Sequence, residues 1–413
     1  MHIELVILMV KYLTDGRTGV LIAALLFFSL LYPLTKPFPY SDDWSYIGFL
    51  VNPWSFDTSW LFSLHNDHRI PLQKFFHLVL LNLTGGDFRI LIAANVMVIA
   101  ATSICWVMLS RLILNEQSWS EWLVPGVLLG FGFNTVAWGF SFQFLSGLFF
   151  LALANLLWVK SVLTGRDKLG DGAYLALAFC ALCGGNGLIT STILGFGFLC
   201  AIIFSRGLRS SSLAARFCLL VWGITVLAIW LGWTSSAATE VQANDQEQYV
   251  YFAFGMLKSW LGIFAINSSF IKSLFATFIL IIALGGSFLL MLRNKPGNSG
   301  SYPSLVVLPV FLSALQTVAM IVAISYSRAG MQPWSPGLEL HYGYLVTALP
   351  LSAWIVILIL SKGVLRNFLL GAFVLVVGFA FLTNAGWRIK AAQDEYRRRS
   401  EERRVGKECR SRW

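Results

Sequence analysis

Residues 89–113, RILIAANVMVIAATSICWVMLSRLI, decide the fold. Arg89 and Arg111 stand near the two ends, and nothing ionisable lies between them. A helix needs about 20 apolar residues to cross the hydrocarbon core of a bilayer, and this stretch supplies them. The pattern recurs at 19–35, 123–141, 144–160, 173–185, 187–204, 217–234, 271–292, 305–325, 344–361 and 367–383, which makes eleven expected spans. The shorter apolar stretch 71–84 reads as a helix lying along the membrane surface, with Leu72, Phe75, Phe76, Val79, Leu80 and Leu83 at helical spacing.

Composition agrees. The 413 residues are 57% hydrophobic and 12% charged, with a mean hydropathy of +0.71, whereas soluble domains carry roughly 25% charge. A soluble enzyme, a disordered chain, a collagen and a disulfide scaffold are excluded on these numbers. What remains is an all-α polytopic transmembrane bundle. Five of the six cysteines lie in apolar runs, where the CxxC of Cys180 and Cys183 reads as packing. The first span is no cleavable signal, since Pro33 and Pro37 follow it and no small-residue cleavage site does. Two boundaries are faint: Asn134, Ser141 and Gln143 alone divide 123–160, and Gly184-Gly185-Asn186 alone divides 173–204.

Orientation follows from the basic residues of alternate connections. With the N-terminus in the cytoplasm, one set of connections holds thirteen bases against six acids and the other seven against nine. The basic excess therefore marks the cytoplasmic side and implies no nucleic-acid partner. Residues 391–413 form a basic tail whose ending, RRRSEERRVGKECRSRW, changes character abruptly. It resembles vector-derived read-through, so roughly 400–413 are set aside and the native chain is expected to be longer.

Polar chemistry concentrates in the outer connections 36–88, 235–270 and 326–343. Connections in helical bundles usually run about two to eight residues, so the first is exceptional. Its Trp44, Trp54, Trp60, Phe49, Phe56 and Phe62 suit a membrane interface, and 44–52 reads as a second surface helix. Two clusters stand out. Tyr40-Ser41-Asp42-Asp43-Trp44 places adjacent carboxylates beside a low-dielectric surface, which suits a proton acceptor or metal ligand. The same residues also suit a helix N-cap at Ser41 or Asp42. His65-Asn66-Asp67-His68-Arg69 puts two imidazoles, a carboxylate and a guanidinium on an irregular loop. These could hold a metal, pair among themselves, or hold phosphate through the planar fork of Arg69. Further along, Arg328 suits an anion holder or an interface anchor, and His341 and Tyr342 open the tenth span. No Walker loop, GxGxxG, HExxH or GxSxG is present. Ion pumps keep ionisable groups within the membrane, and these spans hold almost none.

With these residues in view, the chain resembles the membrane-embedded GT-C glycosyltransferases of bacterial type. The likeness rests on the acidic pair Asp42-Asp43 directly after the first span, the interfacial helices, and HNDHRIPL at 65–72. NTVAWGFSFQF at 134–144, GGNGL at 184–188, and SRAG (327–330) with HYGY (341–344) add to it. The resemblance implies one transmembrane domain over 1–390, with 36–88 as the outer catalytic loop, in the bacterial cytoplasmic membrane. It implies transfer of a hexosyl or pentosyl group from a polyprenyl-phosphate sugar to a glycan, lipid or protein hydroxyl on the outer face. Asp42 or Asp43 would be the catalytic base. His65, Asp67, His68, Arg69, Arg328, His341 and Tyr342 would bind substrate, and a divalent cation such as Mg or Mn could join through Asp42, Asp43 and Asp67. Relatives place Arg-Tyr where this chain has His341-Tyr342, so phosphate contact there depends on a protonated imidazole. The alternative is a lipid-linked saccharide flippase, which would need a polar path through the spans.

Overall fold

The computed structural model describes residues 15–30, 32, 35–51, 58–65, 68–130, 136–205, 213–232, 245–266, 270–293, 304–330, 337–339 and 341–411, and everything below refers to these. Helix α1 (Gly16–Leu30) leads into a loop region containing a 3-10 turn (Ser41–Tyr46), α2 (Ile47–Val51) and α3 (Thr58–Phe62). A two-stranded ladder follows, β1 (Leu64–His65) against β2 (His68–Arg69), and then α4 (Pro71–Leu83). The remaining helices are α5 (Arg89–Leu114), α6 (Leu123–Gly130), α7 (Phe142–Thr164), α8 (Asp167–Ala181), α9 (Gly185–Ser205), α10 (Leu213–Leu231) and α11 (Gln246–Lys258). They continue as α12 (Phe270–Arg293), α13 (Ser304–Arg328), α14 (Tyr342–Leu360) and α15 (Gly363–Ser411).

Among the described residues, eight helices are long and apolar enough to cross a membrane: α5, α7 with its leading turn, α9, α10, α12, α13, α14 and the first half of α15. Helices α1 and α8, at 15 residues each, are apolar but shorter. Of the expected span 123–141, α6 covers Leu123–Gly130, residues 131–135 lie outside the described residues, and the turn Gly139–Ser141 already leads into α7. The amide of Asn95 holds the approach to that turn, since its Nδ2 donates to the carbonyls of Val136 (3.1 Å) and Trp138 (2.9 Å). The first span begins earlier than expected, at Gly16.

Helix α14 is the axis of the bundle, with 89% of its apolar window buried, against 17% in α10 and 28% in α12. The outer ring offers large apolar side chains such as Leu220, Ile224, Leu227, Leu274, Phe278 and Ile281 at its surface, as lipid contact requires. Inside, neutral polar groups bond one another: Asn155 to Ser313 at 2.7 Å and Thr190 to Gln316 at 3.0 Å. Lipid offers no substitute partners, so such groups must meet across helices.

One end of the bundle is tied by charge. Arg111, in the last turn of α5, forks onto Glu121 through Nε (2.8 Å) and Nη2 (2.5 Å) and reaches Asp15 at 2.8 Å. Glu121 also accepts the amide of Gly16 at 3.0 Å, the first residue of α1. Hydrogen bonding from Arg17 and then Arg111 holds the Asp15 carboxyl well below the usual range. Three segments are thus joined through one buried carboxylate. Breaking a buried pair by removing one partner costs about 3–5 kcal/mol, so Glu121→Ala should lower thermal stability in detergent by an amount of that order. Glu116→Ala, which only frees an exposed pair with Arg366, should leave the melting temperature almost unchanged.

Candidate functional site

The opposite end of α5 carries the residues singled out above. The chain enters at Ser41 with φ +53°, a left-handed conformation uncommon for a side chain other than glycine. Beyond it the two carboxylates take different directions. Asp43 folds back so that its Oδ2 accepts the Tyr40 amide at 3.4 Å, the arrangement of an acidic third residue closing a helix start. The capping group is therefore Asp43, rather than Ser41 or Asp42. Asp43 is 3% exposed, whereas the Asp42 side chain keeps 38% of its surface and faces His65 Nε2 at 4.0 Å.

Behind Asp43 stands a buried polar lattice. The hydroxyl of the fully buried Tyr46 accepts Gln73 Nε2 at 3.2 Å, and Gln73 Oε1 accepts the amide of Gln143 at 2.8 Å. Two interfacial elements, the 3-10 turn and α4, are thereby fastened to the start of α7. Gly139 allows a close approach here, because a Cβ on it would crowd Leu91 at 3.0 Å and Asp43 Oδ1 at 3.1 Å. Burial pushes the Asp43 carboxyl up to about 7, Asp42 adds to the shift, and the amides of Tyr40, Phe140 and Gly139 pull the other way. No well-formed hydrogen bond reaches Oδ1 among the described residues.

A continuous run of rings joins this turn to the 337–342 segment. His65 lies against Phe140 at 4.5 Å, Phe140 stacks on Trp138 at 5.5 Å, and Trp138 meets the edge of His341 at 6.2 Å. His341 also stacks on Phe144 at 5.4 Å and contacts Tyr342 at 4.4 Å, whose ring rests on Phe252 at 5.9 Å. Nε2 of His341 pairs with Glu339 at 3.0 Å. Burial raises the Glu339 carboxyl, and Arg328 counteracts it, which puts Arg328 within electrostatic reach. The structure therefore gathers Asp42, Asp43, His65, Arg328 and His341 at one end of the bundle. Tyr342 is there too, but buried.

Other expected residues have different surroundings. Arg69 spends its fork on backbone oxygens, with Nε and Nη2 on Gly232 at 3.1 and 2.8 Å and Nη1 on Phe62. It caps the exit of α10. The HNDHR stretch is a tight ladder pairing His65 with His68 and Leu64 with Arg69, not an irregular loop. Asp67 and the His68 side chain lie outside the described residues. Among the described residues, no three His, Cys, Asp or Glu side chains converge on one point that could hold a metal ion.

Several functional candidates escaped the sequence reading. The sequence assigns no role of their own to Phe140 and Glu339. His77 is fully enclosed between Tyr46 and Phe142, with both ring nitrogens lacking a hydrogen bond, and burial holds its pKa down at about 3. Only the i, i+4 spacing of Gln73 and His77 on a surface helix hinted at this enclosure. Compared with known protein families, curated proteins and solved structures, the chain matches none.

Because the Asp43 pKa is higher in the folded chain than in the unfolded one, the folded state binds more protons between about pH 4 and 7. Stability should then fall with rising pH across that window, by up to ~1.4 kcal/mol per unit from this group. It should level off above pH 7. Melting curves of wild type and Asp43→Asn from pH 4 to 8 check the sign: the difference should grow in favour of the Asn variant as pH rises.

Proposed function

We propose that the chain is a membrane glycosyltransferase that moves a sugar from a polyprenyl phosphate to an acceptor hydroxyl at the end of the bundle carrying Asp42. The observation that supports this reading is the division of labour between adjacent carboxylates. Asp42 is open to a reactant and stands beside His65, while Asp43 is buried and anchors the turn against Gly139. Asp42 is the catalytic base in this reading, and Asp43 is a positioning residue.

The chemistry is a direct displacement. Asp42 takes the proton of the acceptor hydroxyl, the freed oxygen attacks the anomeric carbon, and the bond from that carbon to the phosphate oxygen breaks with its electron pair leaving on the phosphate. The anomeric configuration inverts. Positive charge near the leaving oxygen stabilises the departing anion, and Arg328 and His341 are the candidates at the rim. Arg69 contributes by holding α10 to the ladder. In the positive-inside orientation this end faces outward from a bacterial cytoplasmic membrane, and α1, α8 and the apolar stretch that begins with α6 would complete eleven crossings.

A flippase reading is disfavoured by the spans themselves. Their neutral polar side chains bond one another, as Asn155 does Ser313 and Thr190 does Gln316, and they offer no charged path for a phosphate.

Transfer from radiolabelled undecaprenyl-phosphate sugars, followed in reconstituted membranes, tests the proposal. Asp42→Asn should lower the rate about 10²–10⁴-fold while leaving lipid-sugar binding intact. Transfer that persisted in purified protein carrying both Asp42→Asn and Asp43→Asn would overturn the assignment. Mass analysis of surface glycolipids in cells with and without the intact gene would then identify sugar and acceptor.

A further inference from the structure

Two lysines are buried among the described residues, and their surroundings differ sharply. Lys74 donates to the carbonyls of Trp60 and Ser63 and to Ser63 Oγ, each at 2.8 Å, and lies over the Trp60 ring at 5.0 Å. Burial, and then Arg69, lowers its pKa to about 8. Lys258, 7% exposed at the end of α11, has no hydrogen bond and no ion pair among the described residues. Its pKa is lowered by burial and then by another cation, Lys272 of α12; no carboxylate counters them.

The acceptors described in the following segment are already engaged, the Phe264 carbonyl by Lys272, the Leu261 carbonyl by Asn384 Nδ2 and the Asn384 Oδ1 by the Phe264 amide, while one donor is idle. Lys272 hydrogen-bonds the carbonyl of Phe264 and lies over its ring at 4.2 Å. Trp260, two residues beyond Lys258, is 3% exposed and keeps a buried indole N–H without an acceptor. Its ring meets Phe275, one turn along α12 from Lys272, at 6.2 Å. The segment between is bent at Gly262, with φ +63°, which folds 259–265 back under the ends of its neighbours. A buried ammonium without a partner is costly, and a second ammonium nearby raises that cost. The helix C-terminus offers some compensation, but it does not explain a second lysine or an idle indole donor.

We propose that Lys258 and Lys272 bind the phosphate group of a membrane lipid. The ligand must be anionic because the groups left without an acceptor among the described residues are the Lys258 ammonium and the Trp260 indole N–H. It must come from the bilayer because the residues flanking Lys272 on α12, Ile271 and Leu274, are 74% and 58% exposed on the lipid-facing ring. The site adjoins the rim, since a Cβ on Gly337 would collide with the backbone of Phe252 and Met256 in α11, and Glu339 and His341 follow Gly337 directly. The anion site stands on the lysines alone. Only the identification of its lipid as a polyprenyl phosphate rests on the transfer reading.

Thermal unfolding of the full chain in a neutral detergent tests this, with undecaprenyl phosphate, undecaprenol, phosphatidylglycerol and inorganic phosphate added separately. Undecaprenyl phosphate should raise the melting temperature by a few degrees and undecaprenol should not. Lys258→Met should melt at or above wild type without ligand, since an unpaired charge is removed, and should lose the rise; Lys272→Met should diminish it. An equal rise with phosphatidylglycerol, also lost in Lys258→Met, would support the anion site and overturn its assignment to polyprenyl phosphate. A rise that survives in Lys258→Met, an equal rise with inorganic phosphate, no rise with either lipid phosphate, or a Lys258→Met variant that melts well below wild type would each overturn the proposal.

Discussion

A helix that ends at a membrane surface leaves backbone groups that lipid cannot satisfy, and the rim of this protein is built around one such break. Asn95 meets the carbonyls of Val136 and Trp138 from inside the bundle, and Gln73 accepts the amide of Gln143 from the interfacial side. Between these two clamps the chain can present Trp138, Gly139 and Phe140 in a fixed conformation. Everything at the rim leans on that short turn. Asp43 is buried against Gly139, His65 lies on Phe140, and His341 reaches Trp138 from the far side.

The two ends of the bundle use charge in opposite ways. At one end Arg111 and Glu121 are paired through several hydrogen bonds, which locks α1, α5 and the start of α6 together. At the other, among the described residues, the Asp42 carboxylate and Asp43 Oδ1 stand without such pairing, and Lys258 without any. Paired charge makes a scaffold, whereas unpaired charge is costly and persists where something outside the chain completes it. The contrast lies within a single molecule and among the same residue types, so hydropathy does not account for it.

Much of this was legible in the sequence, and the parts that were not share a cause. The spans could be read because a run such as 89–113 admits one environment, and α5 covers it. The surface helix at 71–84 could be read from its periodicity and is present as α4. The turn that opens α7 inside the expected span 123–141 could not, because its approach is held by the side chain of Asn95, distant in sequence. For the same reason the acidic pair was read as a unit. Asp43 turns back onto the Tyr40 amide and packs against Gly139, while Asp42 stays partly exposed beside His65. Arg69 looked like an anion holder until Gly232, at the end of α10, claimed its fork.

That last difference bears on how a departing phosphate could be received. A guanidinium bound to two backbone carbonyls is oriented and keeps its charge, yet its Nε and Nη2 hydrogens are already directed at Gly232. His341 is similarly engaged by Glu339, and a neutralised pair attracts an anion less than a free cation does. Lys258 differs in kind. It is 7% exposed and brings a charge for which no acceptor competes among the described residues, and a low local dielectric strengthens any electrostatic contact made there. A leaving phosphate needs its stabilising charge where the lipid tail can also be accommodated, and the lipid-exposed face of α12 meets that requirement beside Lys272. On the transfer reading proposed above, the lysine pair would seat the lipid phosphate, and Arg328 and His341 at the rim would meet the charge that develops on the leaving oxygen.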